Sequence, residues 1–137
     1  ARSHLKILLV VAVALIDADN RVLIAKRPEG KQLAGYWEFP GGKVDPGERP
    51  EESLIRELME ELGITVSADC LAPLTFASHG YENFHLVMPL YVCRKWHGFI
   101  TGKEGQELKW AYATDLRNYK LPPADIPLIA PLIDLLA

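Results

Sequence analysis

Residues 5 to 16 run Leu-Lys-Ile-Leu-Leu-Val-Val-Ala-Val-Ala-Leu-Ile with almost no polar interruption. Such a run, rich in Val, Ile and Leu without alternation, predicts a strand covered on both faces. Asp17-Ala18-Asp19-Asn20 marks a turn, and residues 21 to 27 read as the hairpin partner of the first strand. A polar connection over residues 28 to 35 leads to a short aromatic strand, Tyr36-Trp37-Glu38-Phe39, which stops at Pro40-Gly41-Gly42. Helical spacing begins at Pro50, a residue suited to the first helical position, with Glu51 and Glu52 favourable in the first turn and Gly63 placed to end it. The predicted helix covers residues 50 to 62. Residues 64 to 66, 71 to 78, 84 to 93 and 108 to 113 have strand composition. Residues 124 to 136 return to helical spacing through Ile126, Ile129, Ile133 and Leu136; Pro127 fits a first turn, and Pro131 predicts a kink or an early end. Neither repeat nor linker interrupts the pattern, so strands and two helices share one core and the fold class is α+β.

The 137 residues, 49% hydrophobic and 24% charged, are enough for one domain that buries a core without staples. That domain is expected over residues 5 to 137, with Ala1-Arg2-Ser3-His4 a start or cloning remnant. A formal charge of −3 argues against a nucleic acid polymer as partner. An acidic protein that binds phosphates needs a bridging cation. Two cysteines, Cys70 and Cys93, make no disulfide framework and are expected as free thiols in a reducing compartment. The apolar run Ile7 to Ile16 is about half the length of a membrane span, and the acidic turn behind it does not resemble a signal cleavage site. The expectation is a cytoplasmic protein with no membrane partner; the pattern leaves the oligomeric state open.

On a helical wheel, Leu54, Ile55, Leu58, Met59 and Leu62 gather on one side, and Glu57, Glu60 and Glu61 on another. Like charges three and four residues apart destabilise a helix by roughly 0.2–0.5 kcal/mol per pair, so the glutamates call for a counter-charge. Arg56 supplies part of it, and a hard divalent cation, magnesium or manganese, would neutralise the cluster better. Three glutamates alone read most simply as a solvated helix face. The Gly-rich loop in front, Gly41 to Glu48, changes that reading, because it is able to fold tightly and bring Glu48 back beside the helix.

Gly42, five residues, Glu48, seven residues, then Arg56-Glu57-Leu58-Met59-Glu60-Glu61-Leu62-Gly63-Ile64 matches the Nudix box at every defined position. The chain thus resembles the Nudix hydrolases, which cleave a nucleoside diphosphate linked to a further group. The resemblance implies an α/β/α sandwich with a mixed central sheet and a catalytic loop-helix-loop. It also implies Mg2+, with Mn2+ a substitute, held by Glu57, Glu60, Glu61 and the carbonyl of Gly41. Glu57 is then the leading base, with Arg56 and Glu48 bracing loop and helix.

Beyond the box the chain looks like the MutT branch, whose members remove pyrophosphate from nucleoside triphosphates and include the sanitiser of 8-oxo-dGTP. The marks are Arg27, Trp37-Glu38-Phe39-Pro40-Gly41-Gly42, Gly102-Lys103-Glu104-Gly105-Gln106 and Leu121-Pro122-Pro123-Ala124-Asp125. By this resemblance Glu104 is a further metal ligand on a loop, Arg27 and Lys43 pair with phosphates, and Phe39 and Asp125 receive the base. The chain departs from the sanitiser at Asp125, where that enzyme has Asn, and at Asn83-Phe84, where it has Asp-Arg. An ionised Asp only accepts hydrogen bonds, which favours a base edge with donors, as in CTP; a buried, protonated Asp also donates, which keeps an oxidised purine. The alternative class is a non-catalytic nucleotide sensor, against which the intact box speaks. His79, His85, Trp96 and Trp110 read as packing or surface residues.

Overall fold

The structure, a computed structural model, describes residues 5–137; the expectation for residues 1–4 lies outside that range. Seven strands, β1 (Lys6–Leu15), β2 (Arg21–Lys26), β3 (Trp37–Glu38), β4 (Gly41–Lys43), β5 (Ala72–Gly80), β6 (Phe84–Cys93) and β7 (Glu107–Tyr112), combine with helices α1 (Pro50–Leu62) and α2 (Ile129–Leu136). A four-stranded sheet has the order β4-β1-β6-β5, with β1 and β6 parallel and the other pairs antiparallel. A three-stranded antiparallel sheet, β3-β2-β7, stands beside it. Among the described residues no helix is long and apolar enough to cross a membrane.

Strand β1 has the two covered faces its composition predicts, from Val11 onward. Val11, Val13 and Leu15 pack with Leu54, Leu58 and Leu62 of α1, whereas Ala12 and Ala14 pack with Leu128, Ile129 and Leu132 at the other end of the chain. One strand therefore cements both halves of an α/β/α sandwich. Helix α1 has the predicted bounds: Pro50 opens it, and Gly63, in the left-handed region at φ 72°, closes it with its N–H on the Met59 carbonyl at 3.0 Å. Met59 is the exception on its apolar side, 47% exposed at the rim of the stripe.

Several expectations need correction. Strand β2 is not a hairpin partner of β1: one bridge, Ile16 with Val22, joins them before the chain passes into the other sheet. Asp17 shapes that departure, its carboxylate accepting the N–H groups of Asp19 and Arg21 and the Arg21 guanidinium. The aromatic strand does stop before Pro40, but an unforeseen strand follows at once, Gly41–Lys43, which pairs with Val10–Ala12 of β1. Residues 64 to 66 make a single bridge, from Thr65 to His97, instead of a strand, and residue 113 starts a 3₁₀ turn, Ala113–Asn118, after β7. Finally, α2 begins at Ile129, preceded by a 3₁₀ turn at Ile126–Leu128 that takes Pro127; Pro131 then falls in the first helical turn, where no N–H is needed, and the helix runs on to Leu136.

The β4–β1 contact is close enough that a Cβ on Gly41 would overlap the Val11 carbonyl oxygen, and the φ of 155° at Gly41 adds backbone strain for any larger residue. Gly41→Ala is therefore expected to destabilise the protein by about 1–3 kcal/mol, read as a lower urea midpoint, through loss of the β4–β1 pairing.

Candidate active site

The loop between β4 and α1 is wired to the helix by one guanidinium. Arg56 donates to Glu48 through Nη2 at 3.0 Å and Nε at 3.2 Å, and its Nη1 reaches Glu57 at 2.9 Å. It also pairs with Asp45 at 3.2 Å and, more loosely, with Glu60 at 3.6 Å. Glu48 takes a third partner in the buried Ser53 hydroxyl, which donates at 2.6 Å. Held first by the Arg56 hydrogen bonds and then by Ser53, the Glu48 carboxyl drops to about 2, so it is a fixed anion at any working pH. The helix N-terminus is tied separately, by the Arg49 N–H donating to Glu52 at 2.9 Å.

Beside this brace lies a cleft of about 180 Å3 with two chemically different walls. Glu57 and Glu61 reach it from α1, Glu38 from β3 and Glu104 from the loop before β7; Lys26, Arg27, Lys31 and Gly41 line it as well, with Arg27 paired to Glu38. Burial, and then the charge of Glu57, holds the Glu61 carboxyl well above the usual carboxylate range. Its Oε2 is buried without a hydrogen-bond partner. Glu38 is also raised, by burial, and the Arg27 guanidinium at 3.0 Å opposes that shift.

A partnerless buried carboxylate oxygen among further carboxylates fits a hard divalent cation, whose ligands are oxygens. Among the described residues no three acidic, His or Cys side chains stand ready-made around one point, so binding a cation would draw the glutamates together.

A second, smaller cleft of about 90 Å3 shares Arg27, Glu38 and Gly41 with the first. Val10, Ala12, Phe39, Met88 and Asp125 complete it, giving an apolar slot with one acid inside. Asp125 is only 6% exposed, and burial pushes its carboxyl from the ordinary 3.8 to about 7, against a hydrogen bond from the Phe39 backbone that pulls the other way.

The expected residues thus divide. Glu57, Glu61, Glu104, Gly41 and Arg27 share the larger cleft, Phe39 and Asp125 share the slot, and Arg56 and Glu48 form the brace behind them. Glu60, 56% exposed at its side chain, and the exposed Lys43 line neither cleft. Sequence reasoning did not single out Glu38, Lys26, Lys31 or Gln106 as site residues; they reach the cleft through the pairing of β2 with β3 and β7. A charged residue just before the Gly-Gly turn was the one available signal for Glu38. His79 and His85 line neither cleft, and Trp96 stacks on Trp110 in the core beside α1.

This fold and this braced acidic cleft define a class. The NUDIX domain pattern matches residues 11–130, and the chain belongs to that family, whose enzymes cleave phosphoanhydride bonds with a divalent cation. Within it, the chain is 39% identical over 121 residues to the CTP pyrophosphohydrolase of Escherichia coli K12, covering 87% of each. It is 37% identical over 127 residues to the 8-oxo-dGTP diphosphatase of the same bacterium, covering 90% of this chain and 95% of that one. A solved MutT structure, from work on the Aliivibrio salmonicida and Vibrio cholerae proteins, superposes with a TM-score of 0.79 at 34% identity, over 95% of this chain and 99% of that one.

A Cβ on Gly42 would meet the Glu57 carboxylate at 2.6–2.8 Å, a clash with the movable end of a side chain. Gly42→Ala is expected to keep the fold, unlike Gly41→Ala, but to lower turnover by about 10- to 100-fold through displacement of Glu57, as unfolding curves and kcat measured on one preparation will show. Asp125 gives a pH test. Its folded pKa of about 7 lies above the unfolded 3.8, so its contribution is full below pH 4 and is lost as pH rises towards and past 7. Relative to Asp125→Asn, the wild type should lose stability by as much as about 4 kcal/mol between pH 4 and pH 8; parallel stability curves would refute the buried acid.

Proposed function

We propose that the chain hydrolyses a nucleoside triphosphate to the monophosphate and pyrophosphate with Mg2+, and that its target is an oxidised purine nucleotide such as 8-oxo-dGTP. The observation that carries the metal-dependent reading is the buried, partnerless Oε2 of Glu61 in a cleft shared with Glu57 and Glu104 and faced by Arg27. On this reading the protein works in the cytoplasm, where it removes damaged precursors before DNA replication; Mn2+ substitutes for Mg2+.

Glu57, Glu61, Glu104 and the Gly41 carbonyl would hold the cation, with Glu60 closing from its exposed rim. When bound, a divalent cation screens the polyphosphate charge and lowers the pKa of the attacking water. Glu57 takes the water's proton, and Arg56 keeps its carboxylate aimed at the cleft. Arg27, with Lys26 and Lys31 on the same wall, pairs with phosphate oxygens, and Lys43 is an outer phosphate contact. Phe39 provides an apolar surface for the base, and Asp125, protonated near neutral pH, both donates to and accepts from its edge. The oxidised-purine reading rests on that protonation and on the Lys103-Glu104-Gly105-Gln106 loop.

A second reading, a CTP or modified pyrimidine pyrophosphohydrolase, is favoured by the 39% identical relative and by the acid at 125, which suits an exocyclic amino group. Both readings share one chemistry and differ at one residue's contacts.

Relative kcat/KM over 8-oxo-dGTP, dGTP, CTP and 5-methyl-dCTP separates them, and Asp125→Asn should reorder the bases more than it slows the reaction. Glu57→Gln should lower turnover at least about tenfold with the fold intact, and EDTA should abolish pyrophosphate release. A nucleotide sensor would bind in both conditions and release nothing.

A further inference from the structure

Glu104 sits on a loop that like charges should push away, since Glu38, Glu57 and Glu61 line the same cleft. Besides backbone bonds from Thr101 and Lys103 to the end of α1, one amide side chain ties it down. Gln106 accepts the Glu104 N–H with Oε1 at 2.8 Å and donates from Nε2 to the Glu61 carbonyl at 3.0 Å. That carbonyl lies in the last turn of α1, where helical carbonyls lack partners within the helix, and the Lys103 N–H donates to it as well, at 3.0 Å. The loop backbone is folded around this contact. A Cβ on Gly102 would come within 2.5 Å of the Gln106 carbonyl oxygen, and the Gly105 N–H closes the turn on the Gly102 carbonyl at 3.3 Å with φ 77°. The Gly102-Lys103-Glu104-Gly105-Gln106 segment is thus a tight turn latched to the end of α1 through both ends of one amide.

We propose that Gln106 is a positioning residue: its amide fixes the Glu104 loop to the Glu61 backbone and so sets the approach of Glu104 to Glu57 and Glu61. The inference deepens the proposed function and rests on the reading that Glu104 helps to hold the cation. Gln106 lines the cleft, but both ends of its amide are committed to backbone groups of the loop and the helix. It acts through the backbone N–H of Glu104 and the carbonyl of Glu61, so removing it matters only while the Glu104 carboxylate has work to do. Glutamine suits this role where glutamate or leucine does not. A carboxylate is able to accept from Glu104 but not to donate to Glu61, and it would add charge to the acidic cleft; leucine does neither.

The test is a double-mutant cycle of Gln106→Met and Glu104→Gln, with Mn2+ affinity by electron paramagnetic resonance and kcat and KM for a triphosphate substrate. Amide exchange at Lys103 and Glu104 is followed in the metal-free protein. Gln106→Met is expected to speed exchange at these two amides at least about tenfold and to weaken Mn2+ binding and kcat by roughly tenfold, with KM for nucleotide within about twofold. In the Glu104→Gln background the same substitution should still speed exchange but change Mn2+ affinity and kcat less than about twofold. Gln106→Glu, which retains one of the two bonds, should give an intermediate exchange rate and guards against a packing defect peculiar to methionine. Equal losses of Mn2+ affinity in both backgrounds would overturn the positioning role while leaving Glu104 in the metal set. Unchanged Mn2+ affinity in Glu104→Gln alone would remove Glu104 from that set, and overturn both.

Discussion

Arg56 is the constraint on which the site depends. A cleft with four carboxylates is electrostatically unfavourable without a counter-charge, and the guanidinium gives Glu57 one at 2.9 Å while binding Glu48 twice. The Glu48 carboxyl, also held by the Ser53 hydroxyl, anchors the loop to the helix, so loop geometry and the orientation of Glu57 are set by the same residue. Arg56 does not reach Glu61. Without a cation that acid is relieved by holding its proton, as its raised carboxyl shows, and a bound cation is what would let it ionise.

The sandwich exists, from this viewpoint, to hold that arrangement rigid. Leu54, Leu58 and Leu62 anchor α1 to one face of β1, while Gly41 and Gly42 run antiparallel along the edge of the same strand. Backbone floor and acidic helix therefore share a single support, and the glycines leave room, one for the Val11 carbonyl and one for the Glu57 carboxylate. Further lining comes from the other sheet, where Lys26 ends β2, Arg27 follows it and Glu38 of β3 pairs with Arg27. The acidic cleft and the apolar slot then meet at the seam between the sheets, with Arg27 and Glu38 common to both.

Legibility in the sequence followed the range of the interactions. Helix α1 was readable to its ends because Pro50, the first-turn acids and Gly63 act within a few residues of one another. The box was readable for the same reason, its Glu48 and Arg56 lying eight residues apart. Strand β4 was not, since two glycines carry no side-chain pattern and its pairing with Val10–Ala12 is a backbone affair. The partner of β2 was equally hidden: periodicity names a strand but not its neighbour, and the Asp17 turn diverts the chain after one bridge. Glu38, Lys26 and Lys31 join the cleft only through that sheet, so no local signal placed them opposite Glu57 and Glu61. Pro131 misled because a proline three residues into a helix reads the same in sequence as one in its middle.

Glu61, with a buried and unpartnered carboxyl oxygen, is kept at a cost to stability because a divalent cation completes it. Thermal unfolding of the wild type and of Glu61→Gln, each across a magnesium titration, tests it directly. Glu61→Gln is expected to melt higher than the wild type without metal and to lose most of the magnesium-dependent rise that the wild type shows. A variant that melts lower without metal and keeps the full rise would contradict it.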